Sequence, residues 1–219
     1  MNIIFTVSLI LHIVGGSVGL LTGTINLVRK KGDKRHRLVG RFFVYGMLTA
    51  GFSSLVLSII HPNSFLFIVG VFTIYLTKTG TRYLQLKMLG SNQRPTTIDW
   101  TITIAMLLAG LLFVGLGVKH LIASNNFGIV LIVFGVLGIR FVQTDFKNYK
   151  GQVVANNYWL LAHLQRMTGA YIASATAFLV VNARYFPENI PSMVYWLLPT
   201  VTLLPLTVKW TKKYQVKVK

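Results

Sequence analysis

Seven long apolar stretches recur along the chain, each closed by a short polar connection. They cover about residues 3–28, 40–60, 64–88, 98–119, 126–146, 157–182 and 193–209. Each falls in or near the range of roughly 17–25 apolar residues that an α-helix needs to cross a bilayer. The breaks are marked by residues that end helices or turn the chain. They are His61-Pro62-Asn63-Ser64, Gly90-Ser91-Asn92-Gln93-Arg94-Pro95, Ser124-Asn125-Asn126, Lys150-Gly151-Gln152 and Pro187-Glu188-Asn189-Ile190-Pro191. The pattern predicts an all-α fold, an integral membrane bundle of seven transmembrane helices forming one polytopic domain over residues 1–219. Pro199 and Pro205 predict a kink in the last helix.

Glycine and alanine spacing adds packing to that outline. Gly15, Gly19 and Gly23 form a small-xxx-small series in the first span, fit for close approach of another helix within the chain or between two chains. Gly169, Ala173 and Ala177 repeat the spacing in the sixth, and Gly135 and Gly138 mark the fifth. Trp100, Trp159, Trp196 and Trp210 all fall near span ends, where indole rings prefer the membrane interface.

Charge fixes the orientation. Residues 1–28 and 42–77 carry no charged side chain, while Arg29 to Arg41 hold seven cations. A short, strongly basic connection between two spans stays on the cytoplasmic side. With the N-terminus outside and the C-terminus inside, all of the 22 Lys and Arg residues except Lys119, Arg184 and Arg166 fall on the cytoplasmic side. A mean hydropathy of +0.62 with only 12% charged residues places the chain outside soluble globular domains. The net charge of +18 is therefore not that of a nucleic-acid binder, because the cations lie in short clusters between apolar runs. Residues 3–28 read as a retained span rather than a cleaved signal. With no cysteine, disulfides and thiol chemistry are excluded. The implied partner is a lipid bilayer, and the implied location the bacterial cytoplasmic (inner) membrane.

Ionisable residues inside spans cost about 2.5–3.5 kcal/mol or more, so each needs a reason. On a helical wheel His12 shares a face with Gly16, Gly19, Gly23 and Asn26, which turns it into the bundle. Its bland reading is a neutral imidazole bonded to a neighbouring helix; its sharper one is a metal, haem or proton-relay site. His163 and Arg166 share a face of the sixth span. At the same depth stand His36, Arg37 and Arg41 at the start of the second span, Arg82 at the end of the third and Arg140 at the end of the fifth. Asp99 and Asp145, two of the four acids, are candidates for structural ion pairs with these arginines. Cations outnumber acids there, leaving charge for a phosphate, a carboxylate or a lipid head group.

No cofactor is fixed by these residues. One inner haem between His36 and His163, with arginines on its propionates, is an alternative occupant. His12 and His163 differ in depth by about 15 Å at the helical rise, too much for one shared haem. No metal site joins His12, His61 and His120 by spacing. His-Glu-x-x-His, G-x-S-x-G and P-loop motifs are absent, and the single glutamate, Glu188, falls in an outer loop. An enzyme is the less favoured class.

Several phrases occur together: Lys31-Gly32, His36-Arg37-Leu38-Val39-Gly40-Arg41, His163 through Arg166-Met167 to Gly169-Ala170-Tyr171-Ile172-Ala173, and Trp196-Leu197-Leu198-Pro199-Thr200. With His12 and its glycines, they make the chain resemble, over nearly its whole length, an uncharacterised family of bacterial multi-pass membrane proteins, a predicted membrane domain of unknown function. The resemblance implies topology and groups His12, His36 and His163. The residues themselves favour binding or transport of an anionic or amphiphilic small molecule in a cytoplasm-facing cavity of His12, His36, Arg41, Arg82, Arg140, His163 and Arg166. The rivals are a haem or quinone redox protein, or an assembly factor for one, and a structural membrane subunit.

Overall fold

The computed structural model describes residues 3–187 and 189–216. Glu188, and Lys217 and Lys219 of the basic tail, lie outside the described residues. Those described form seven α-helices and no strand: α1 (Ile3–Val28), α2 (Lys34–Ile60), α3 (Ser64–Tyr83), α4 (Thr97–Ile122), α5 (Phe127–Tyr149), α6 (Tyr158–Val181) and α7 (Ser192–Tyr214). Among the described residues, α1 to α5 are long and apolar enough to cross a membrane. α6 carries His163, Gln165 and Arg166, and α7 carries two prolines and three lysines, which lowers their hydropathy. α7 nonetheless runs unbroken through Pro199 and Pro205.

The helices gather into two units, Met1–Thr77 with Leu164–Tyr214, and Lys78–His163 with Gln215–Lys219. In the first unit the glycines of α1 set its crossing with α2. A methyl group on Gly46 would lie 2.7 Å from the Gly15 carbonyl oxygen and 2.8 Å from the Gly19 amide, so the two backbones touch. Gly19 receives the Met47 thioether, and Gly23 makes room for the Tyr171 and Phe43 rings. The seam therefore uses Gly15, Gly19 and Gly23 within one chain, while Gly16 faces open space. In α6, Ala170 and Ala173 are buried, whereas Gly169 and Ala177 are half-buried. Hydroxyls inside these helices bond their own backbone, as Thr22 does to Val18 O (2.6 Å) and Ser53 to Thr49 O (2.7 Å), so they need no partner in lipid.

In the second unit α4 and α5 meet on an equivalent seam. A methyl on Gly135 would sit 2.7 Å from Gly110 O, and one on Gly117 would sit 2.8 Å from Gly128 O. α3 ends at Tyr83, earlier than its apolar run, because Leu86 and Leu89 serve a loop core rather than a helix. They are buried with Tyr83, Tyr149, Tyr158 and Ala162. The Tyr158 hydroxyl donates to Leu86 O (2.6 Å) and accepts from Leu89 N (2.8 Å), satisfying loop backbone that water does not reach. Gly90 (φ +83) and Gly151 (φ +76) bring two loops together: a methyl on either would fall 2.6 Å from the other's Cα. The tail joins this unit through Val216, whose carbonyl accepts from Asn156 N and whose amide donates to Asn157 Oδ1, both at 2.9 Å.

Candidate functional site

The basic connection between α1 and α2 folds as an elbow in the first unit. Gly32 takes φ +87, a left-handed conformation that glycine adopts without strain. Asp33 caps α2 by accepting from the His36 amide. That bond, with the Arg29 charge beside it, holds the Asp33 carboxyl below the ordinary carboxylate range. Asp33 therefore starts α2 six residues before its apolar run, and the arginine-rich stretch becomes helix.

Lys31 turns back over the end of α1. Its Nζ donates to the carbonyls of Asn26 (2.8 Å), Leu27 (2.7 Å) and Arg29 (3.1 Å), the groups that a helix C-terminus leaves unpaired. The same ammonium lies 4.3 Å over the Trp210 ring of α7. This partial burial lowers the Lys31 pKa. Asn26 Nδ2 donates to His36 O (3.3 Å), tying α1 to the first turn of α2. Four buried polar atoms lie in these segments without a hydrogen-bond partner: Asn26 Oδ1, Arg29 Nε, His36 Nδ1 and Thr211 Oγ1. The Arg29–Asp33 ion pair is loose, with 3.6 Å between Nη2 and Oδ2. Arg41 is exposed on α2, a turn beyond His36.

Elsewhere in the first unit His12 Nδ1 lies 3.0 Å from the Ala50 carbonyl, so this nitrogen carries the proton and the ring bridges α1 to α2. Arg166 is 1% exposed, with its guanidinium 5.0 Å over the Tyr75 ring.

The second unit holds two polar constellations. In one, the Arg82 guanidinium donates from Nε and Nη2 to the two carboxylate oxygens of Asp99, at 2.7 and 2.8 Å, and from Nη1 to Gln85. Asp99 also accepts from the Thr96 amide and hydroxyl, at 2.8 and 2.7 Å, which fixes the start of α4. In the other, Tyr83 OH donates to Asp145 Oδ1 (2.6 Å) and accepts from Asn148 Nδ2 (3.0 Å). Thr103 Oγ1 donates to Asp145 Oδ2 (3.4 Å) and lies 3.2 Å from Tyr149 OH. Asp145 and Thr103 are fully buried. His163 Nδ1 donates to Gly80 O (2.8 Å), and Arg140 is exposed on α5.

Of the residues singled out in the sequence, His36 and Arg41 thus share the elbow, while His12 and Arg166 occupy other parts of the first unit. Arg82, Arg140, His163, Asp99 and Asp145 belong to the second. Among the described residues no group of three or more His, Asp or Glu is placed to hold a metal ion. Sequence reasoning passed over Asn26, Arg29 and Lys31 at the elbow, Thr211 on α7, and Tyr83, Thr103, Asn148 and Tyr149 around Asp145. Asn26 did carry a signal, since it closes the His12 face beside the basic run.

This is a membrane protein with several helices of membrane-spanning length. Residues 9–89, covering most of α1, all of α2 and α3 and the first part of the loop that follows, match the family described as predicted membrane protein (DUF2306). The match takes in the His36–Arg41 element and stops before His163–Met167, so it is narrower than the near-full-length resemblance read from the sequence. No curated protein and no solved structure matches the chain.

Proposed function

We propose that the chain is a single-domain, seven-span protein of the bacterial cytoplasmic membrane, N-terminus outside and C-terminus inside, that binds an anionic or amphiphilic small molecule at the α1–α2 elbow. The orientation is supported by the cations, which cluster in alternate connections. The binding reading is carried by one observation: Arg29 Nε and His36 Nδ1 are buried without partners in a segment whose only acid, Asp33, is already used as a helix cap. A buried unpaired donor such as Arg29 Nε costs about 1–3 kcal/mol, which an anionic acceptor would recover. Arg82 serves Asp99, so its part is structural, and Arg166 braces the first unit against Tyr75.

The absence of native cysteine makes the orientation directly testable. Ala123→Cys should react with an impermeant maleimide on intact cells, and Ser91→Cys only after permeabilisation; the reverse pattern overturns the orientation. For binding, purified protein titrated with oleate in neutral detergent should lose affinity in His36→Ala. Equal affinity in that variant removes the elbow from the reading.

A further inference from the structure

The elbow lacks partners of two kinds, and that mixture narrows the ligand. Arg29 Nε is a donor, and His36 Nδ1 is one when it carries the proton; Asn26 Oδ1 is an acceptor, because Nδ2 of the same amide is committed to His36 O. A plain carboxylate or sulfate accepts only, so it would answer the first two and leave Asn26 Oδ1 bare. A ligand that answers all three atoms carries an anion and a donor together. An ammonium donor is disfavoured, since the Lys31 ammonium and the Arg29 guanidinium stand beside the same turn. A neutral hydroxyl suits the position better.

We infer that the elbow recognises a phosphodiester bearing a nearby hydroxyl, the head-group chemistry of phosphatidylglycerol, with the phosphate on Arg29 and His36 and the hydroxyl donating to Asn26 Oδ1. This rests on the proposed binding role of the elbow and names its ligand class. Arg29 is the group that admits the ligand: its side chain is 30% exposed, and its pair with Asp33 at 3.6 Å is too long for a hydrogen bond, so it turns outward at little cost. Its planar fork holds phosphate in two directions where a lysine ammonium acts as a point charge. Trp210, over Lys31 at the end of α7, supplies the indole that sits at head-group depth.

The test uses the full chain in neutral detergent, with thermal unfolding and tryptophan quenching read against phosphatidylglycerol, phosphatidylcholine, oleate and soluble glycerophosphoglycerol. Phosphatidylglycerol should bind at least tenfold more tightly than phosphatidylcholine or oleate. Arg29→Lys, which keeps the charge but loses the fork, and Asn26→Ala should each erase most of that preference. Lys30→Gln, an exposed cation lost from the same turn, should leave it nearly intact. Competition by glycerophosphoglycerol at similar concentration would identify a soluble phosphodiester as the ligand, and its failure would assign the lipid. Equal binding of oleate and phosphatidylglycerol, both lost in His36→Ala, would overturn this inference and leave the anion-binding role standing. No binding of any anionic amphiphile would overturn both. Loss of the preference in Lys30→Gln with none in Arg29→Lys would reduce the effect to general charge and refute the site.

Discussion

The α1–α2 seam permits a sharp comparison between two glycines. At Gly46 an added methyl would meet Gly15 O at 2.7 Å and Gly19 N at 2.8 Å, whereas at Gly16 it would meet nothing within 4 Å. Alanine is favoured over glycine inside a helix by about 1 kcal/mol, and both sites receive that gain. At Gly46 the obstructing atoms are backbone, so no rotamer change relieves them. Restoring ordinary contact from 2.7 to 3.4 Å asks the helices to part by about 0.7 Å along a seam that Gly15 and Gly19 also form. Overpacking of this kind costs about 1–3 kcal/mol, and a backbone obstruction belongs at the upper end. Gly46→Ala should therefore destabilise by about 2 kcal/mol, while Gly16→Ala should stabilise by about 1 kcal/mol. Equilibrium unfolding in detergent micelles, followed by tryptophan fluorescence, measures both. Equal stability of the two variants would refute the close crossing.

Other variants test the polar constellations. Tyr83→Phe removes the hydroxyl between Asp145 and Asn148 and should cost about 1–3 kcal/mol in the same unfolding assay; no loss would show that the network contributes nothing. Asp99→Ala removes the acceptor of two Arg82 bonds and two Thr96 bonds, and breaking such a buried pair costs about 3–5 kcal/mol. Because Arg82 is 27% exposed and regains some water, about 2–3 kcal/mol is expected. A double-mutant cycle with Arg82→Ala should show strong coupling, and additive losses would refute the pairing. At the elbow, the depressed Asp33 pKa means that its cap stabilises fully above the ordinary carboxylate range and fades as pH falls through the folded-state value. Asp33→Ala should thus be less stable than the parent at neutral pH and indistinguishable from it in strong acid. A constant difference across that range would count against the cap.

Helix bounds were largely legible because one signal, the length of apolar runs, dominates in lipid. α1 matches its predicted range, and α4 to α6 agree within about three residues, ordinary uncertainty for helix ends. The misses have local causes. α2 begins early because Asp33 caps a polar turn that hydropathy scores as loop. α3 ends early because Leu86 and Leu89 are apolar for the sake of a loop core held by Tyr158, and composition alone does not distinguish that from a span. Polar side chains were harder to place. Arg82 finds Asp99 across a connection of unpredictable path, and the Asp145 cluster depends on two tyrosines that end separate helices. Lys31 read as one more loop cation, since nothing in its spacing reveals that it folds back over three carbonyls.

Both glycine seams join helices that are neighbours in sequence, α1 with α2 and α4 with α5, across short connections. Each pair can therefore close as soon as its second helix leaves the ribosome, with little loop entropy to overcome. The two hairpins would enter the bilayer already packed, at different times during synthesis. α6, with its histidine and arginine, follows both and would meet a partly built protein surface rather than bare lipid. α6 and α7, the two helices that fall short of membrane-span hydropathy among the described residues, come last in the chain.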